Sequence, residues 1–157
     1  MLDRRAFIHF AAAALAAVRG EAQADTLQPI NTLGSSDGVA IRGYDPVAYF
    51  REGGPQLGKP EFSVRHGGAV WRFATAEHKA LFEADPQRYL PAYGGFCAYG
   101  TSRGYLVKIE PDAWSIVDGR LYLNYDLGVR ETWARRTKTY IARADGNWPR
   151  LTAKDIR

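Results

Sequence analysis

Cys97 is the single cysteine of the chain, and it sits in Tyr93-Gly94-Gly95-Phe96-Cys97-Ala98-Tyr99-Gly100. A thiol set among glycines and aromatic rings is open to several chemistries. It can be a nucleophile once ionised, a soft metal ligand, or simply a small buried hydrophobe. A lone cysteine cannot form an internal disulfide. In an oxidising compartment it must be buried, paired with another chain, bound to something or reactive. No nucleophile–base pair, paired-carboxylate motif or catalytic triad stands out elsewhere, so an enzyme is the least favoured class.

The N-terminus bears on the compartment. Asp3-Arg4-Arg5-Ala6-Phe7 precedes an apolar run from Ile8 to Val18, and Ala22-Gln23-Ala24 follows. A charged start, a short apolar stretch and an A-x-A site make a signal peptide rather than a membrane span. The paired arginines, the mildly hydrophobic alanine-rich run and Arg19 before the cleavage site point to the twin-arginine route. The expectation is cleavage after Ala24 and a periplasmic mature protein with no membrane span.

The charge balance is weak. The full chain carries a net +4, and removing Arg4, Arg5, Arg19, Asp3 and Glu21 leaves a net +3. The basic residues are scattered apart from Arg135-Arg136 near Lys138, which argues against a nucleic-acid partner. Nine tyrosines and four tryptophans suggest a core or pocket built from large rings.

Local signals outline the elements that must hold Cys97. Residues 25–38 are polar and aperiodic and read as an extended arm, after which Val39-Ala40-Ile41 reads as a short strand. Asp45 and Pro46 suit the N-cap and first position of a helix. Phe62–His66 and Ala69–Phe73 flank Gly67-Gly68 as a hairpin, pairing Val64 with Trp71, Phe62 with Phe73 and His66 with Ala69. Thr75 caps a helix to about Ala84 whose inner side holds His78, Leu81 and Phe82. Asp85-Pro86 closes that helix and opens a short turn toward Tyr89.

A second hairpin joins Ala113–Val117 to Arg120–Tyr125 at Asp118-Gly119, with Trp114, Ile116, Leu121 and Leu123 on one face. One amphipathic helix is expected from about Gly128 to Ala144 through Val129, Trp133 and Tyr140, ended by Asp145-Gly146-Asn147. The expected fold class is α+β: small antiparallel hairpins packed with short helices and a longer C-terminal helix. A single domain spans 39–148, and 149–157 reads as a C-terminal tail.

Tyr44-Asp45-Pro46-Val47-Ala48-Tyr49-Phe50, the run from Trp71-Arg72-Phe73 to Phe82, and Asp85-Pro86-Gln87-Arg88-Tyr89 together resemble the YHS domain family. The resemblance is closest to its stand-alone secreted branch, which carries the Tyr-Gly-Gly-Phe-Cys-Ala-Tyr-Gly segment, and it covers roughly residues 39–127. Metal-associated members of that family have cysteines where this chain has Ala48 and Ala74, and a third where it has His78. The resemblance therefore implies metal handling without a three-thiolate site.

Thiolate and imidazole suit Cu(I), which accepts two or three ligands, or Zn(II). Cys97 and His78, joined by His66, are the candidate ligands; Met1 is the only methionine, and closed four-coordinate zinc needs more donors. Tyr93, Phe96, Tyr99, Trp71 and Tyr44 are the candidate walls of a binding pocket. Three classes stay open: an exported copper-like metal-binding protein, a module binding a small molecule or another exported protein, and a Cys97 redox or sensor protein. His78 on an apolar helix face also reads as a packed residue, His66 as an exposed turn residue, and the glycines as positions permitting φ > 0.

Overall fold

The computed structural model describes residues 28–157, so the signal-like segment 1–24 lies outside the described residues. The architecture is α+β. Two antiparallel hairpins form separate two-stranded sheets, β1 (Lys59–His66) with β2 (Ala69–Phe73) and β3 (Glu110–Val117) with β4 (Arg120–Asn124). Among the described residues six α-helices accompany them: α1 (Ala48–Arg51), α2 (Ala76–Ala84), α3 (Pro86–Tyr89), α4 (Ala98–Ser102), α5 (Leu127–Ala134) and α6 (Thr137–Asn147). No helix among the described residues is long and apolar enough to cross a membrane.

Both hairpin turns follow from their residues. Gly67 and Gly68 have φ of 60° and 83°, and Asp118 and Gly119 have φ of 50° and 75°, the left-handed pair that matches strand twist. Val64 pairs with Trp71 and His66 with Ala69 as the spacing predicts. Phe62, however, does not face Phe73, because a bulge brings Lys59 opposite Phe73. The cause is local. Pro60 has no N–H for the ladder, the Ser63 hydroxyl donates to the Pro60 carbonyl, and a Cβ on Gly58 would lie 2.5 Å from the Arg72 carbonyl carbon.

Three further expectations change. Val39-Ala40-Ile41 is not a strand: Val39 makes one parallel bridge to Val70, and Ala40–Gly43 is a 3-10 turn with Ile41 at φ 40°. The Ile41 amide instead donates to the Asn31 carbonyl at 2.8 Å. The long C-terminal helix is two helices broken at Arg136 (φ −142°, ψ 46°), where the Thr137 hydroxyl donates to the Ala134 carbonyl at 3.2 Å. The break lets α5 pack on the second hairpin while α6 packs on α4. Asp145-Gly146-Asn147 forms the last three residues of α6 instead of a stop beyond Ala144. Asp145 accepts a bond from the Tyr93 hydroxyl at 2.8 Å, and Asn147 Nδ2 donates to the Thr101 and Ser102 carbonyls at 3.0 and 3.2 Å. Those tertiary bonds outweigh the local turn preference of the triplet.

The two hairpins share one core, in which Trp71 and Phe73 meet Phe82, Tyr49, Ile109, Leu121 and Leu123. A second cluster gathers Tyr93, Ala98, Tyr122, Trp133 and Ala144. A third joins Phe96 and Leu106 to Leu151, so residues 149–157 dock on the domain. The Leu106 amide donates to the Asp155 carbonyl and the Arg157 amide to the Leu106 carbonyl, each at 2.9 Å.

Candidate functional site

The cysteine segment sits where the three clusters meet: Cys97 belongs to the first, Tyr93 and Ala98 to the second, and Phe96 to the third. Its path requires left-handed backbone at Tyr93, Gly94 and Gly95, with φ of 56°, 61° and 83°. A Cβ on Gly94 would lie 2.3 Å from the Pro29 carbonyl oxygen, and one on Gly95 would lie 2.4 Å from Ile41 Cγ2. These glycines are spent on close packing and turning, not on cradling an anion.

The chain then enters α4 with Cys97 as its N-cap. Cys97 Sγ accepts a bond from the Gly100 amide at 3.3 Å and lies 3.7 Å from Asn124 Oδ1. Asn124 Oδ1 also accepts from the Tyr99 amide at 3.1 Å, which ties the end of β4 to the sulfur. Burial pushes the thiol above its ordinary range, while the N–H groups of Gly100, Tyr125 and Tyr99 pull the other way and lose. The sulfur is therefore a neutral thiol at neutral pH, not an activated thiolate.

Cys97, itself buried, contributes to the lining of an apolar cleft of about 250 Å³ together with Tyr99, Gly100, Tyr105, Val107, Tyr125 and Val129. The Tyr99 ring is braced edge-on by Tyr140 at 5.2 Å, and Lys108 Nζ lies 4.1 Å from the centre of the Tyr125 ring. A larger cleft of about 520 Å³ lies elsewhere, with His66, Trp71, Tyr93, Arg120 and Trp148 in its lining.

The expected ligands are engaged by different partners. His78 is buried, with Nδ1 2.6 Å from Asp45 Oδ2 and Nε2 3.4 Å from Glu52 Oε1. Asp45 is fully buried and saturated: its Oδ1 accepts from the Val47 and Ala48 amides at 2.8 and 3.2 Å, and its Oδ2 accepts from the Ala74 amide at 2.8 Å. The N-cap of α1 is Val47, not Asp45 as the Asp-Pro pair predicts; from two residues earlier the Asp45 carboxylate holds the amides that lead into α1, and it also pins the end of β2 and the start of α2. His66 packs edge-on against Phe82 at 5.6 Å and lines the larger cleft. Cys97, His78 and His66 thus have separate polar surroundings. Among the described residues no group of three or more His, Cys, Asp and Glu side chains is arranged to hold a metal ion.

The expected pocket residues also divide. Tyr99 lines the cleft with Cys97, whereas Trp71 and Tyr93 line the larger one. Phe96 is fully buried in the third cluster and Tyr44 bridges to Leu57, and neither lines either of these two clefts. Tyr105, Tyr125, Arg120, Trp148 and the buried Asn124 join these sites from outside every motif in the sequence. Only Arg120 had a local signal, its place directly after the Asp118-Gly119 turn. The chain matches no protein-family model, no curated protein and no solved structure.

Proposed function

We propose that the chain is an exported, YHS-like, non-catalytic binding module that takes a small, largely apolar ligand into the tyrosine-walled cleft over Cys97. The observation that carries this is the lining, which encloses about 250 Å³ without one charged side chain. Burial holds the Cys97 thiol neutral, so its sulfur offers a polarisable, weakly polar floor to an aromatic or aliphatic ligand. That same neutrality favours binding over thiol redox chemistry, which needs the thiolate. His78, engaged by Asp45 and Glu52, is poorly placed to complete a Cu(I) site with Cys97. Export rests on the signal-like pattern of residues 1–24, with the periplasm as the destination.

The test follows alkylation of Cys97 by N-ethylmaleimide in the mature protein, with indole as the competing probe. Saturating indole is expected to slow modification at least tenfold. Val129→Trp, which fills the cleft, should react slowly with or without indole. An unchanged rate in the presence of indole would overturn the proposal. So would stoichiometric Cu(I) retained by the mature protein and lost from Cys97→Ala, which would establish metal handling instead.

A further inference from the structure

We infer that the larger cleft is a second, independent site, built for a small aromatic carboxylate. Its volume of about 520 Å³ falls within the roughly 300–1,000 Å³ range of small-molecule pockets. It opens between the turn of the first hairpin, the start of β4, the kinked segment before Cys97, and Trp148. Arg120 is the only charged side chain in the lining; His66 adds an imidazole, Gln28 and Gln87 add amides, and no carboxylate is present. Among the described residues Arg120 makes no ion pair, and its guanidinium lies 5.8 Å from the Tyr122 ring centre. A guanidinium that has no carboxylate partner and rests beside the Tyr122 ring and hydroxyl is a fork for a planar, bidentate anion.

The rest of the lining selects a flat apolar body for that anion. Half-buried Trp148 presents ring surface and is backed edge-on by the buried Tyr93 ring at 6.0 Å. The Tyr93 hydroxyl is bonded to Asp145 at 2.8 Å, which fixes the ring behind Trp148.

The walls are held before any ligand arrives. The Asn31 amide donates to the Gly94 carbonyl and its side-chain Nδ2 to the Gly95 carbonyl, each at 2.9 Å, while Ile30 closes over Gly67. Tyr93 itself keeps a left-handed φ of 56°, an arrangement that only rigid surroundings sustain. A preformed cavity spends little binding free energy on ordering itself.

The probe is 2-naphthoate, titrated into the mature protein by calorimetry beside its neutral isostere 2-naphthamide. Saturable binding of the acid, at least tenfold tighter than the amide, is expected. Arg120→Gln should weaken the acid at least tenfold and leave the amide unchanged, and Arg120→Lys should restore only part of the loss because the fork is gone. Val129→Trp, which fills the other cleft, should bind the acid as wild type does, so this site stands or falls separately from the cleft over Cys97. No saturable binding at millimolar 2-naphthoate would overturn the inference, as would equal binding of acid and amide. Undiminished binding by Arg120→Gln in a protein of native circular dichroism would do so too, and so would displacement by acetate as effective as by 2-naphthoate, which would leave an anion site without an aromatic subsite.

Discussion

At Cys97 two opposing effects act on one sulfur. Desolvation favours the neutral thiol, and the surrounding N–H groups of Gly100, Tyr125 and Tyr99 favour the thiolate; burial prevails. The sign follows for both reactivity and stability. A thiol whose folded pKa is raised ionises first in the unfolded chain, so its stabilising contribution is whole below the ordinary thiol pKa. That contribution is lost as pH climbs toward the folded value. The rate of Cys97 alkylation by iodoacetamide should therefore keep climbing beyond pH ~8.5, where an unperturbed thiol reaches its midpoint. A midpoint at or below that value, read from the pH–rate profile, would show an activated thiolate instead. Asp45 shows the reverse balance at the same scale. Fully buried, it persists because three amides and an imidazole satisfy its two oxygens. Its motif places it at a helix start, but only its partners explain why a carboxylate tolerates that depth.

Among the elements, the turn from Pro91 to Cys97 matters most, because it sends consecutive side chains into three different clusters. Gly95 permits this. Its φ is 83° and the space beside it is occupied by Ile41. Gly95→Ala would add backbone strain to a steric clash and is expected to cost about 2–4 kcal/mol in urea denaturation. A loss below about 1 kcal/mol would show that the turn relaxes freely. Element identity was largely legible in the sequence where it depends on neighbours along the chain. Both hairpin turns and the Thr75 cap, whose hydroxyl accepts from the His78 amide at 3.1 Å, are of this kind. Legibility failed where a distant partner outweighed local preference: Asn147 stays helical because it bonds to the carbonyls of Thr101 and Ser102. The Lys59–Phe73 pairing likewise depends on Gly58 passing against Arg72, which no alternation pattern contains.

The whole molecule is closed by its last residues. Leu151 covers Phe96 and Leu106, directly beneath the cysteine segment. Leu151→Ala is expected to cost about 2–5 kcal/mol with an unchanged denaturant slope, as for other buried leucines. Wild-type stability in that variant would reduce residues 149–157 to an appended tail. The same scale separates the two clefts, one apolar over a neutral thiol and one carrying an unpaired guanidinium. The sequence by itself determined the α+β class, both hairpin turns and the Thr75 cap, because steric limits on φ and short-range hydrogen bonds act between near neighbours. The tertiary structure alone decided that His78 meets Asp45 rather than Cys97, and that Arg120 shares a cavity with His66 and Trp148. Pairing and desolvation of polar groups depend on neighbours in space, and those are set only once the core has closed.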